Sequence, residues 1–188
     1  MKKDKLVYDL ELDPNACYKM EYTHNKAKEN FESIEKWLYL GADIRDRGFA
    51  KVGLTMGDLT TRSSSSANPN YYLFCAFKCQ SDISRDELES IEKGALKYLD
   101  DIYTKHDGSS KRAVHAESGR LSECFYDIDF MTLFNDLHYY LYHNHCNDFI
   151  LCGFESYPGF CEGEFLSCEF NKLMSLDEIN RHRRSILQ

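Results

Sequence analysis

Apolar and polar positions alternate along the chain in runs of strand length, broken by three stretches of helical period. Leu6, Tyr8, Leu10 and Leu12 alternate against Lys5, Val7, Asp9 and Glu11, and Tyr18, Met20 and Tyr22 recur on one side over 16–22. With Asp13-Pro14-Asn15 between them, these runs predict a hairpin. Ala27, Phe31 and Ile34 then recur at helical spacing over 25–35. Trp37-Leu38-Tyr39-Leu40-Gly41 and Ala50-Lys51-Val52-Gly53 follow as two short apolar runs around a charged loop containing Asp43, Arg45, Asp46 and Arg47. They predict a second hairpin, the one around which the rest is arranged.

Asp58 is placed to cap a short helix bearing Arg62, which the serines from Ser63 to Ser66 would end. Tyr71 to Cys79 is apolar and aromatic enough for a third, central strand. Ser84-Arg85-Asp86-Glu87 reads as a capping box, and Leu88, Ile91, Ala95, Leu99 and Ile102 make one stripe behind it, predicting a helix over 85–103. Residues 105–121, with Gly108, Gly119 and four Lys or Arg, read as a mobile, locally basic loop. Leu133, Phe134, Leu137 and Leu141 predict a helix from 130 onward, capped by Asp129. Strands are expected over 149–154 and 164–170 around Tyr157-Pro158-Gly159. A second capping box at Ser175-Leu176-Asp177-Glu178 opens a last helix carrying Arg181, His182, Arg183 and Arg184. Those cations read as a solvated helix end, or as an auxiliary phosphate contact.

The 188 residues suffice for a sizeable core, and 13 Tyr with 12 Phe supply bulky material for it. A net charge of −8 excludes a protein that holds nucleic acid by a broad basic surface, but not one with a local cluster such as Arg45, Arg47, Lys51 and Arg62. Met1 to Leu12 is charged rather than signal-like, and no apolar run reaches membrane-span length. A cytoplasmic protein with no membrane partner is therefore expected. Its eight cysteines are then read as reduced, with Cys146, Cys152, Cys161, Cys168, His143 and His145 a loose zinc alternative whose spacing departs from known sites.

Tyr39, Lys51 and Arg62 put a phenol, an amine and a guanidinium on neighbouring elements, a grip suited to phosphate. In this order the residues resemble the GIY-YIG nucleases. Trp37-Leu38-Tyr39 is similar to the first family motif, and Lys51-Val52-Gly53 to the second, with the lysine that restriction-type and phage-type branches carry there. Arg62 matches the arginine of the following helix, while Ser66 stands where many members have histidine. Glu123, set among Leu121, Cys124 and Phe125, is similar to the metal-binding glutamate and is preferred to Glu117; Asn135 matches the later asparagine.

The resemblance implies an α+β fold, with a small mixed or antiparallel three-stranded central sheet flanked by helices. Residues 37–145 would form the catalytic module, 1–36 a hairpin-helix extension, and 146–188 a second hairpin-helix packed on the module. It further implies a DNA endonuclease, RNA not excluded, using Mg²⁺ or Mn²⁺ held by Glu123. Tyr39, Lys51, Arg62 and Asn135 would complete the site. Two other readings stay open: an inactive nucleic-acid or protein binding module of the same fold, and a toxin-type nuclease masked by a protein inhibitor. A homodimer is compatible with the first reading.

Overall fold

A computed structural model describes residues 18–59 and 68–188. The chain forms two compact units, residues 1–33 and 34–188. In the first, the described residues form helix α1, Tyr18–Glu32. This corrects the expected strand over 16–22; its partner at 5–12 lies outside the described residues. Lys19, Met20, Glu21, Lys26, Ala27 and Lys28 are good helix formers, and their summed preference outweighs a five-residue alternation. The helix expected at 25–35 is the latter part of α1.

The second unit is built on an antiparallel sheet. Strands β1 (Trp37–Asp43), β2 (Ala50–Thr55), β3 (Tyr71–Lys78), β4 (Arg112–Val114), β5 (Leu121–Phe125) and β8 (Cys168–Phe170) lie in the order β4-β5-β2-β1-β3-β8. The expected three strands are there as the central β2-β1-β3 set, but the sheet has six. The three additions are short, too brief for alternation to stand out. The first of them corrects the loop expected at 105–121. Arg112–Val114 pairs with β5, and Arg112 makes a 3.2 Å ion pair with Asp100 while the chain reverses through Gly119 at φ 65°.

The β1–β2 hairpin has the register its sequence suggests, with Tyr39 opposite Gly53, Leu40 opposite Val52 and Gly41 opposite Lys51. Alternation sends Leu38, Leu40, Ala42, Ala50 and Val52 to one face, where they join Cys75 and Phe77 of β3 in the main core. Helix α2 (Arg85–Ile102) and helix α3 (Phe130–His145) contribute Leu88, Ile91, Ala95, Leu99, Leu133, Phe134, Leu137 and Leu141 to it. Both starts are capped as read. Ser84 Oγ accepts from Glu87 N at 3.2 Å while Glu87 accepts from Ser84 N at 2.8 Å, and Asp129 accepts from Thr132 N at 2.8 Å.

After a short 3-10 turn, Cys146–Asp148, strands β6 (Leu151–Tyr157) and β7 (Phe160–Leu166) form a separate hairpin turned by Gly159 at φ 85°. The strand expected over 164–170 is thus two, parted at Ser167, the second pairing with β3. Helix α4 (Leu176–Ser185) keeps its capping box. His182 stacks on Phe170 at 5.8 Å, Arg183 and Arg184 lie over Phe165 and Phe154, and Arg184 pairs with Glu162 at 3.5 Å. These side chains bind α4 to the hairpin and sheet, which favours the structural reading of that cationic run.

Candidate functional site

The face of the sheet opposite the main core carries Trp37, Tyr39, Leu73 and Ala76 as a small buried cluster. Lys51 and Gly53 alternate with the core residues Ala50 and Val52, so both share this face with Tyr39. Tyr39 faces Gly53 across the ladder, and Lys51 is its diagonal neighbour. The ring of Tyr39 lies over Gly53: a Cβ built there would stand 2.6 Å from the phenol oxygen. Glycine at 53 lets the phenol lie flat across the hairpin.

The β2–β5 ladder ends at Lys51 opposite Cys124, and Glu123 is the first β5 residue beyond it. There Lys51 Nζ comes within 3.5 Å of Glu123 Oε2, with the two side chains 33% and 47% exposed. A pair this open contributes little to stability, so its interest is chemical. It leaves an amine and a carboxylate side by side and accessible to a ligand.

Glu92 on α2 belongs to the same electrostatic neighbourhood. Burial, then the charges of Glu123 and Glu89, push its carboxyl up to about 7, against a smaller opposing effect of Lys51. It is therefore divided between acid and base at neutral pH, the condition that proton transfer favours. The sequence reading missed it. The signal was its place on the helix: residues 88, 91, 95, 96 and 99 are buried, and 92 falls among them at i+4 from Leu88. A carboxylate inside an apolar stripe is a marked position.

The remaining predicted residues are placed otherwise. Arg62 and the helix expected to carry it lie outside the described residues. Asn135 projects from α3, but its Oδ1 accepts from Ser185 Oγ of α4 at 3.0 Å, so it joins two helices and is not gathered with Lys51 and Glu123. Of the loose zinc candidates, Cys146 follows α3 while Cys152, Cys161 and Cys168 lie on three different strands. No group of three or more His, Cys, Asp or Glu placed to hold a metal occurs among the described residues. The seven described cysteines are free, and burial pushes the thiols of Cys79 and Cys168 up to about 12. Such thiols are unreactive at neutral pH.

A cavity of about 450 Å³ opens between the 43–47 loop, β3 and the start of α3. Its lining includes Asp43, Asp46 and Asp129 over Phe74 and Phe130, and none of Tyr39, Lys51, Glu123 or Asn135. Three carboxylates against the one guanidinium of Arg47 disfavour a phosphate ligand there.

Glu123 is a half-exposed carboxylate and supplies hard oxygen donors. That suits Mg²⁺ or Mn²⁺, which are commonly held by one or two carboxylates together with water and substrate phosphate. No family model, curated protein or solved structure matches the chain. No described helix is long and apolar enough to cross a membrane.

Proposed function

We propose that this protein is a divalent-metal-dependent endonuclease of GIY-YIG type acting on DNA. The observation that carries the reading is the convergence of Lys51 and Glu123. Residues far apart in sequence, chosen for separate motifs, have side chains 3.5 Å apart, with Tyr39 diagonal to Lys51 on the same hairpin. The chain order β1, β2, β3 and long helix α2 also supports the reading, the short helix that the resemblance sets before β3 lying outside the described residues.

Hydrolysis of a phosphodiester needs a proton removed from water, charge balanced on the phosphoryl oxygens and a leaving oxygen. In this reading Lys51 draws the phosphate in and helps Tyr39, whose ordinary pKa is ~10, to give up its proton. That phenolate takes the proton of the attacking water as the new phosphorus–oxygen bond forms. The ester bond then breaks and the leaving oxygen is protonated from solvent. Arg62 is assigned a hydrogen-bonding role on the phosphate, by resemblance. Glu123 would hold Mg²⁺ or Mn²⁺, which when bound neutralises charge on the phosphate and acidifies coordinated water.

The test is nicking of supercoiled plasmid with Mg²⁺, Mn²⁺ or EDTA, beside folded Glu123→Gln and Arg62→Ala proteins. Metal-dependent cutting that both substitutions abolish supports the reading. No cutting of duplex, single-stranded DNA or RNA by the unmodified protein overturns it and leaves a binding module on a nuclease-like sheet.

A further inference from the structure

Two glycines stand diagonally across the β1–β2 ladder on the face that carries Tyr39, and each lies under a phenol. Gly53 is covered by Tyr39; Gly41, the residue opposite Lys51, is covered by Tyr71 of β3. A Cβ built on Gly41 would stand 2.2 Å from the Tyr71 oxygen and 2.4 Å from its ring. Alternation along β3 places Tyr71 on the same face as Leu73, which faces Gly41 in the ladder. Phe49 meets the Tyr71 ring edge-on at 6.5 Å. The hydroxyl of Tyr71 thus lies over β1 at the residue opposite Lys51, while that of Tyr39 lies over Gly53 of β2. A strand interior rarely holds glycine unless something must come close to the backbone. Here a phenol does so at both positions, on either side of the proposed phosphate-binding amine.

We propose that Tyr71 is a second phenol of the phosphate site, its hydroxyl donating a hydrogen bond to the phosphate drawn in by Lys51. This rests on the nuclease reading for its substrate, but the contact is a property of Tyr71 itself. A phenol O–H donating to an ionised oxygen makes a charge-assisted bond. With Lys51 on β2, two donors from either side of β1 would hold one phosphate beside Tyr39.

The experiment uses Tyr71→Phe, which keeps the ring against Gly41 and Phe49 and removes the hydroxyl alone. Tyr126→Phe serves as a control, since Tyr126 touches the same Phe49 at 5.3 Å but is not placed on the phosphate. Plasmid cleavage rate in Mg²⁺, duplex binding in Ca²⁺ by fluorescence anisotropy, and thermal stability are measured for each. The expected result is a loss of about 10-fold or more in cleavage rate for Tyr71→Phe, as for a lost hydrogen bond to a charged group, at unchanged melting temperature and with Tyr126→Phe unaffected. Wild-type rate and affinity in Tyr71→Phe would overturn the inference and leave the nuclease reading intact. If the unmodified protein binds duplex without cutting, and Tyr71→Phe weakens that binding about 3-fold or more, the contact stands and the nuclease reading falls. An unmodified protein that neither cuts nor binds overturns both.

Discussion

The two faces of the central hairpin come from the same strands and the same alternation, yet they are filled on different principles. On the core face Leu38, Leu40, Ala42, Ala50 and Val52 meet α2 and α3 through hydrocarbon alone, and every position is buried. On the other face Tyr39 is also buried, but beside it stand Gly41, Lys51 and Gly53, two positions with no side chain and one with a charge. A core seeking stability would fill the glycine positions. Leaving them empty lets Tyr39 and Tyr71 lie flat and present hydroxyls along the sheet. The core face therefore fixes the register, and the register aims the chemistry on the other.

The largest expected effect tests the core side of that contrast. Phe134 is fully buried, stacks against Phe77 at 6.2 Å and meets Phe74 edge-on at 5.3 Å. Phe134→Ala should cost about 3–5 kcal/mol in urea unfolding, because transfer and cavity effects add at a site that cannot collapse. Cleavage per folded molecule should be unchanged in the same preparation. A loss of activity larger than the unfolded fraction would show that the two faces are not separable.

His138 should cost nearly as much, but only in acid. Its ring is buried, its Nε2 accepts from Leu166 N at 3.0 Å, and burial followed by the charge of His143 brings its pKa down to about 4. The fold holds the neutral ring, so the stabilisation is whole above the ordinary value near 6.5 and is lost as pH falls through 4. The full effect is about 3 kcal/mol by linkage. His138→Gln, whose Oε1 can accept the same bond without titrating, should flatten the acid limb of a denaturation series between pH 7 and 4. An unchanged limb would place the acid sensitivity elsewhere.

The opposite face is probed by Gly53→Ala. The added methyl would stand 2.6 Å from the ring carbon and oxygen of Tyr39, which is 5% exposed and has little room to swing. The expected cost is about 1–3 kcal/mol from overpacking, with a loss of cleavage beyond what instability explains. Equal losses in stability and activity would make Gly53 a packing residue only.

How much of this was legible in the sequence follows from the range of each signal. The period-two pattern from Trp37 to Gly53, the stripe from Leu88 to Leu99 and both capping boxes are local, repeated and physically redundant, and all three stand in the structure. Strands β4 and β8 are three residues each and exist because a neighbour offers a ladder, as β5 does for Arg112–Val114 and β3 for Cys168–Phe170. At Tyr18–Tyr22 a short alternation competed with a longer run of helix formers and lost. Within the site, Lys51 and Glu123 were named separately, but no spacing rule could state that β5 pairs with β2. Asn135 lies off the apolar stripe of α3, as its spacing predicts, and no local pattern could state that its Oδ1 accepts from Ser185 Oγ of α4, fifty residues on.

The smallest effect, and the one that joins the two faces, concerns Glu92. This carboxyl leaves the core-facing helix α2 yet feels Glu123 and Lys51, and its pKa of about 7 stands above the ordinary 4.5. A raised carboxyl favours the protonated form in the fold, so its stabilising contribution is complete below 4.5 and disappears as pH rises through 7. Glu92→Gln mimics the protonated form and should match the unmodified protein at pH 5. At pH 8.5 it should be the more stable, after solvent screening by about 1 kcal/mol, or about 2–4 °C in melting temperature for a chain of this size. A second variant, Glu123→Gln, removes one of the charges that raise Glu92 and should move the crossover to lower pH. A stability difference that does not change between pH 5 and 8.5 would mean that Glu92 is solvated and that the core and site faces are electrostatically independent.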